Sequence, residues 1–188
     1  MPDALAHYIV SYLISRRITK TKYALAISIF GVLPDVDVLF GVHRWITHSI
    51  TIAAIATSLI LITLKFIGKH KSTLIHVLLA FTLYSLHILL DLFTASTPIL
   101  WPITSQAYML QVELTGTIIQ GQEITLTPNI EVYMEPVDFT VHHEIEGPLI
   151  SPIGVILAIT LITLLAIEHL YNHKIRETLN PYHLERQY

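Results

Sequence analysis

Cysteine is absent from this 188-residue chain, and charged residues make up only 13% of it. Without cysteine there is no disulfide and no zinc site built on thiolates. An average soluble domain has about 25% charged residues, whereas this chain is 53% hydrophobic and has a mean hydropathy of +0.60. The net charge is only −3, so nothing in it indicates nucleic acid as a partner. We therefore predict an integral membrane protein that does not bind nucleic acid.

The hydrophobic residues form five apolar segments, at 3–15, 23–33, 46–67, 72–93 and 149–171. The last three reach the roughly 20 residues that a membrane-spanning helix needs, whereas the first two are shorter. Pro34 ends the second segment, because the residue before a proline disfavours helix. The predicted fold class is mainly α: a polytopic transmembrane helical bundle of about five apolar segments, the first two short.

A different composition separates the last two segments, from about Ser105 to Val141. YMLQVEL alternates apolar and polar residues, which is the period of a strand. Gln120-Gly121 has the character of a turn, and ITLTP and IEVYM are further candidate strands. We predict a small β-rich insert outside the bilayer. The domains expected are a metal-site helical core (1–102), an extracytoplasmic β-rich cap (103–147), and the last transmembrane helix with a cytoplasmic tail (148–188).

Lysine and arginine concentrate at 16–22, at 65–71 and in the C-terminal tail. If all three regions face the cytoplasm, the five segments alternate, and the N-terminus and the β-rich insert lie outside. That orientation depends on basic residues alone, yet it brings the following residues to the outer ends of their segments: His7, Asp35, Asp37, His43, His48, His87 and Asp91. We predict that they converge on one metal site at the outer face of the cytoplasmic membrane, because charged and polar groups in a membrane are costly and usually functional.

His87 and Asp91 are four residues apart, which places them on one face of a helix. Imidazole and carboxylate groups suit zinc, and manganese or iron is also possible. For this pair alone, a hydrogen bond from a buried histidine to another helix is an equal alternative. Asp35 and Asp37 follow Pro34. They can supply one ligand and one supporting group, bridge two ions, or simply cap a turn.

The motif HRWITHS contributes His43, Arg44 and His48. His48 begins a helix and can reach inward, whereas His43 in the loop is a ligand, an acid–base group or a solvated residue. Arg44 could hold a phosphate through two hydrogen bonds; equally, it could bind lipid headgroups or pair with an aspartate. His7 is a candidate ligand from topology rather than spacing. A second polar run at the foot of the last span is more typical of a solvated loop than of a site: His142, His143, Glu144 and Glu146.

LPDVD, HRWITHS and HILLDLFT followed by LWP resemble the YdjM-type membrane-bound metal-dependent hydrolases, also described as LexA-binding inner-membrane hydrolases. The resemblance covers roughly residues 1–102 and departs from the family pattern at Leu86, with Ser85 one place earlier. The family is distantly similar to zinc-dependent phospholipase C, an all-helical enzyme with a zinc cluster. That similarity implies a ligand set of His7, Asp35 or Asp37, His48, His87 and Asp91. Thr97 stands where that phospholipase has a further histidine, so we expect one or two ions.

Residues and resemblance together predict a membrane-bound metal-dependent hydrolase. A divalent ion lowers the pKa of a bound water and polarises a phosphoryl or carbonyl oxygen. Asp37, His43 and Arg44 are the residues expected to take part in catalysis. A site at the bilayer surface favours membrane lipids as partners and a lipid or lipid-linked phosphoester as substrate. The alternative is a non-catalytic scaffold or assembly subunit whose metal holds short helices together.

Overall fold

The computed structural model describes residues 3–42, 44–68, 71–117, 125–141 and 150–179, with side chains described as far as Tyr171. The helices are α1 (Ala4–Ile18), α2 (Thr21–Ile27), α3 (Ile50–Phe66), α4 (Lys71–Asp91) and α5 (Pro152–Leu179). Two strands follow α4, β1 (Gln106–Thr117) and β2 (Thr125–Pro136). Between α2 and α3 the chain forms three short 3-10 helices, Ser28–Gly31, Leu33–Phe40 and Ile46–His48. The fold is therefore mainly helical, as predicted.

Among the described residues, two helices are long and apolar enough to cross a membrane, namely α4 and the Pro152–Tyr171 part of α5. A third span results if Thr21–Gly31 and Leu33–Phe40, which are bent by 44° relative to each other, are counted as one. Only 6% of the apolar window of α5 is buried, as expected for a helix that meets lipid on most sides. Length and composition thus support two or three spans, and five crossings stay a prediction.

The predicted third span, 46–67, is shorter than expected as an α-helix. Its first residues form the 3-10 turn Ile46–His48, and α3 itself has 17 residues. Ser49 caps it by accepting a hydrogen bond from the Ile52 N–H, which satisfies one of the amide groups left free at a helix start. A helix of 17 residues lies at the lower limit for a span.

Helices α1 and α5 run parallel, with contacts at both ends. Asp3 caps the start of α1 and also accepts a hydrogen bond from the Ser151 N–H, just before α5. Near the other end, Arg16 pairs with Glu168 at 2.8 Å. The approach at the first end requires a glycine, because a side chain at Gly154 would overlap the Asp3 carboxylate.

Helix α4 runs antiparallel to α1. Thr19, just after α1, contacts His76 near the start of α4, with 3.1 Å between Oγ1 and Nε2. His7, in the first turn of α1, lies beside Asp91, the last residue of α4. The 3-10 helix Ser28–Gly31 packs against both α1 and α4. The start of α1, the end of α4 and the 3-10 segments therefore meet at one end of the bundle.

The β-rich insert is a single hairpin over its described residues. β1 and β2 pair antiparallel along their full twelve residues. The described part of ITLTP, from Thr125, and IEVYM therefore belong to one strand, and the prediction of two separate strands was wrong. The predicted turn at Gln120-Gly121 lies outside the described residues. Thr97, in the segment after α4, pairs with Tyr108 of β1. That bridge attaches the base of the hairpin to the end of the bundle where α4 ends.

Candidate metal centre

Four donor side chains meet at this end of the bundle: Asp35, His48, His87 and Asp91. One donor atom of each lies within 4.8 Å of the donor atoms of the other three. Asp35 and His48 come from two different 3-10 helices, and His87 and Asp91 share one face of α4, as their spacing predicted. His48, His87 and Asp91 are buried, whereas the Asp35 side chain is 14% exposed.

Both histidines present Nε2 to the same two carboxylates. His48 Nε2 lies 3.6 Å from Asp35 Oδ1 and 3.4 Å from Asp91 Oδ2. His87 Nε2 lies 3.4 Å from Asp35 Oδ1 and 3.8 Å from Asp91 Oδ2. These distances exceed the 2.7–3.2 Å of ordinary N–H···O hydrogen bonds. They are close to the spacing of ligands around a tetrahedral zinc ion, about 3.3–3.4 Å when each ligand is about 2.0–2.1 Å from the metal.

Several buried polar atoms at this point have no hydrogen bond within the described part of the chain. They include Nε2 of His7 and of His87, and Oδ1 of Asp35 and of Asp91. An unsatisfied buried polar atom typically costs about 1–3 kcal/mol. A cation at the centre would engage lone pairs of imidazole and carboxylate together. The donor set, two imidazoles and two carboxylates, therefore fits zinc or a similar divalent ion.

Asp37 lies behind His48, on the side away from the other carboxylates. Its Oδ2 accepts hydrogen bonds from the Trp45 N–H (2.8 Å), the Thr47 hydroxyl (2.9 Å) and His48 Nδ1 (2.9 Å). A carboxylate in this position holds the proton on Nδ1, so that Nε2 is the ring nitrogen with a lone pair for a metal. The geometry thus favours the first alternative from the sequence, with Asp35 as ligand and Asp37 as support. Direct ligation by Asp37 stays a prediction.

The backbone orients the second histidine. His87 Nδ1 lies 2.8 Å from the carbonyl oxygen of Gly31. A carbonyl only accepts, so Nδ1 carries the proton and Nε2 faces the cluster. Sequence reasoning missed Gly31, because a carbonyl oxygen leaves no trace in a side-chain motif. The signal in the sequence was the glycine itself. A glycine can mark a place where two segments pack closely, and here a side chain at Gly31 would overlap the Ser11 hydroxyl.

His7 lies beside the group of four. Its Nε2 is 3.5 Å from Asp91 Oδ1, and its ring centroid is 3.9 Å from that of His87. Asp91 therefore turns one oxygen toward His7 and the other toward His48 and His87. The predicted ligand role of His7 stays a prediction.

Arg44 lies at the edge of the cluster. Its Nε donates to Asp91 Oδ2 at 3.3 Å, and its Nη2 donates to Thr94 Oγ1 at 3.2 Å. The aspartate pair that the sequence left open is thus present. The backbone of Arg44 has a φ of 57°. This left-handed conformation is uncommon outside glycine and concentrates at functional sites. His43 lies outside the described residues, as does the polar run of His142, His143, Glu144 and Glu146.

Membrane-length helices together with a buried His/Asp cluster define an integral membrane protein with a candidate metal centre. The chain matches the model of the YdjM inner membrane protein family over residues 4–170, and it belongs to that family. This confirms the resemblance seen in the motifs and extends it past residue 102 to the hairpin and α5. No curated protein and no solved structure matches the chain. The side of the membrane on which the cluster lies stays a prediction.

Proposed function

We propose that this protein is a membrane-bound metal-dependent hydrolase of phosphoesters, with lipid or lipid-linked substrates, whose site faces the outside of the inner membrane. One observation supports it most. Four donor atoms of Asp35, His48, His87 and Asp91 lie within 4.8 Å of one another in a largely buried place. When bound there, a divalent ion, zinc as first choice, supplies a Lewis acid and lowers the pKa of a bound water.

The residues around the cluster are suited to binding a phosphoester and holding it for hydrolysis. Asp35 is the most exposed member of the four, so a substrate would approach from its side. Arg44 uses two of its N–H groups on Asp91 and Thr94. A guanidinium has five N–H donors. The other three have no hydrogen-bond partner among the described residues, so we infer that they bind phosphate oxygens through charge-assisted hydrogen bonds. Asp37 acts on the reaction through His48, whose Nε2 it directs at the cluster.

An apolar groove supports a lipid as the substrate. It has a volume of about 260 Å³ and runs between the first two 3-10 helices, α3 and α4. Leu33, Ala56 and Tyr84 are among its lining residues. The Tyr84 hydroxyl donates to the carbonyl of Thr47, the neighbour of His48, so the groove ends beside the cluster. Its lining is almost entirely apolar, and an acyl chain is the occupant that fits it in a bilayer.

The helix directions support the predicted alternation of the five segments. Alternation of five segments requires α1 and α5 to run the same way and α4 to run against α1. The Asp3 and Arg16 contacts show the first relation, and the contact between Thr19 and His76 shows the second. The outward placement itself rests on the positive-inside rule.

The test is hydrolysis of phosphodiester lipids in mixed micelles by the detergent-purified protein with added zinc or manganese. We expect release of phosphomonoester by the wild type, and a loss of more than ~100-fold for Asp91→Asn and His48→Ala, because each removes a donor from the cluster. Glu131→Gln on the exposed hairpin is the matched control and keeps full activity.

The scaffold alternative gives a different result. A scaffold binds metal and unfolds when a chelator removes it, yet it hydrolyses no ester. Wild-type protein that is folded and metal-loaded, yet hydrolyses none of the phosphodiester lipids tested, would overturn the hydrolase proposal in favour of the scaffold.

A further inference from the structure

The hairpin separates apolar from charged side chains between its two faces. Residues paired across an antiparallel ladder point to the same side, whereas neighbours along one strand point to opposite sides. From Tyr108 toward the tip, one side of the ladder therefore has no charged residue. This apolar face consists of Tyr108, Leu110, Val112, Leu114 and Gly116 of β1, and of Leu126, Pro128, Ile130, Val132 and Met134 of β2.

The opposite face carries the charges of the hairpin. Gln111 donates a hydrogen bond to Glu113, and both Asn129 and Tyr133 donate to Glu131. Each of these bonds joins residues two apart in a strand, as expected for side chains on one side of the ladder. The bonds from Tyr133 and Asn129 lower the pKa of Glu131, so its carboxylate is charged at neutral pH. This face belongs in water.

The apolar face is exposed over most of its length. Five of its side chains are 59–66% exposed, namely Leu114, Leu126, Ile130, Val132 and Met134. No described part of the chain covers them. Single apolar residues are common on protein surfaces, but a continuous row marks a contact with another protein or with a membrane.

The base of the hairpin lies at the end of a membrane-length helix. The Leu110 N–H donates to the carbonyl of Leu92, one residue past the end of α4, at 2.7 Å. The Tyr108 hydroxyl lies 3.5 Å from Thr104 Oγ1, and the neighbouring Ile103 is 73% exposed. Because α4 is long and apolar enough to span a bilayer, its end marks the level of the bilayer surface. Exposed apolar residues thus continue from that level onto the hairpin.

The apolar face is too small to hold two copies of the chain together. It is about 30 Å long and about 10 Å wide from the rise and spacing of strands, so a pair of such faces would bury roughly 600 Å² in total. Stable protein interfaces bury about 1,200–2,000 Å². A lipid surface has no such minimum, since the helices already hold the chain in the membrane.

The open edges of the hairpin limit how deeply it can enter lipid. Unpaired backbone groups are not tolerated in the hydrocarbon of a bilayer. The two strands must therefore stay at the level of the headgroups, with only the apolar side chains reaching toward the acyl chains. Amphipathic helices that lie on membranes have this arrangement.

We propose that the hairpin lies on the bilayer surface at the end of the bundle that holds the cluster, with its apolar face in contact with lipid and its carboxylates in water. The partner is the membrane in which the helices are embedded. This inference does not depend on the proposed hydrolase activity, and it holds equally for a scaffold.

The test uses spin labels, because the chain has no cysteine and an introduced cysteine is its only thiol. Val112→Cys and Leu114→Cys place a nitroxide on the apolar face. Gln111→Cys and Thr115→Cys are the matched controls, each one residue away on the opposite face. The full-length labelled proteins are reconstituted into vesicles of phosphatidylethanolamine and phosphatidylglycerol. Electron paramagnetic resonance then measures collisions with oxygen, which concentrates in lipid, and with a nickel chelate, which stays in water.

We expect the ratio of oxygen to nickel collisions to be several-fold higher for the two labels on the apolar face than for the two controls. All four side chains are exposed, so each variant should keep the circular dichroism of the wild type. Equal ratios at all four positions, with ready access for nickel, would overturn the proposal by showing that the apolar face is open to water.

Two further results would also overturn it, and each identifies a different occupant. Few collisions with either agent at Val112 and Leu114, together with spin–spin broadening that disappears on dilution with unlabelled protein, would identify a second copy of the chain. Few collisions with either agent and no broadening would identify another protein segment over the apolar face.

Discussion

Asp37→Asn tests whether the carboxylate behind His48 raises the affinity of the cluster for zinc. Asp37 Oδ2 accepts from Trp45, Thr47 and His48 at 2.8–2.9 Å. The Trp45 N–H can only donate, so an asparagine would keep its amide oxygen at this position. His48 would then retain its Nδ1 proton and lose only the negative charge behind it. The expected effect is therefore at the mild end of the range for such partners.

Loss of a group that orients a metal-binding histidine costs about 10–100-fold in metal affinity. We expect zinc affinity to fall about tenfold in Asp37→Asn, equivalent to about 1.4 kcal/mol. Asp37→Ala, which removes the acceptor altogether, should approach a 100-fold loss. The measurement is competition for zinc against a chromophoric chelator, on protein purified in detergent.

Thr47→Val is the matched control for this series. It removes the hydrogen bond to Asp37 and a longer contact of 3.4 Å with His48 Nδ1, and it leaves the 2.9 Å contact between Asp37 and His48. Its cost should appear in stability, at about 0.5–1.5 kcal/mol, with zinc affinity changed by much less than tenfold. Circular dichroism of the metal-free variants checks that each is folded. Wild-type zinc affinity in a folded Asp37→Ala would refute the supporting role.

Two further predictions concern stability. Gly154→Ala places a methyl group against the Asp3 carboxylate, and it should lower stability by about 1–3 kcal/mol in thermal melts. The comparison is Gly116→Ala, whose new Cβ would meet Leu126 alone among the described residues, at an ordinary 3.5 Å, and which should cost little by that mechanism. Equal losses in the two variants would refute the tight α1–α5 contact. Zinc at 100 times its dissociation constant should stabilise the wild type by about 2.7 kcal/mol. It should not shift the melting temperature of Asp91→Asn. An equal shift in both proteins would contradict zinc binding at the cluster.

The convergence of the site residues could be predicted in part from sequence. The four-residue spacing of His87 and Asp91 fixes a shared helix face, and the distribution of lysine and arginine placed the other donors at the same end. Hydrophobic length also identified α4 and α5. These signals succeed because they depend on the period of a helix and on bilayer thickness, which are local properties of the chain.

The sequence left open which of Asp35 and Asp37 faces the cluster. The segment Leu33–Phe40 is a 3-10 helix, with three residues per turn, so residues two apart point in different directions. Asp35 thus faces the cluster while Asp37 faces His48 from behind. Nothing in LPDVD distinguishes a 3-10 helix from a turn with both carboxylates on one side.

Within the β-rich insert, only the separation of ITLTP from IEVYM was wrong. Pro128, the last residue of ITLTP, resembles a break between strands, yet it pairs with Leu114 within a continuous ladder. A two-stranded hairpin has only edge strands, where a proline can turn its missing N–H side outward. Strand continuity there depends on the number of neighbouring strands, which a single sequence segment does not encode.

The most direct test of the central claim is metal analysis of the purified protein. Wild-type protein isolated in detergent and Asp91→Asn prepared in parallel are compared by elemental mass spectrometry, with Glu131→Gln as the control. We predict one or two divalent ions per chain in the wild type and in Glu131→Gln, and well below one in Asp91→Asn. Substoichiometric metal in folded wild type, even after incubation with zinc or manganese, would contradict a metal centre at Asp35, His48, His87 and Asp91.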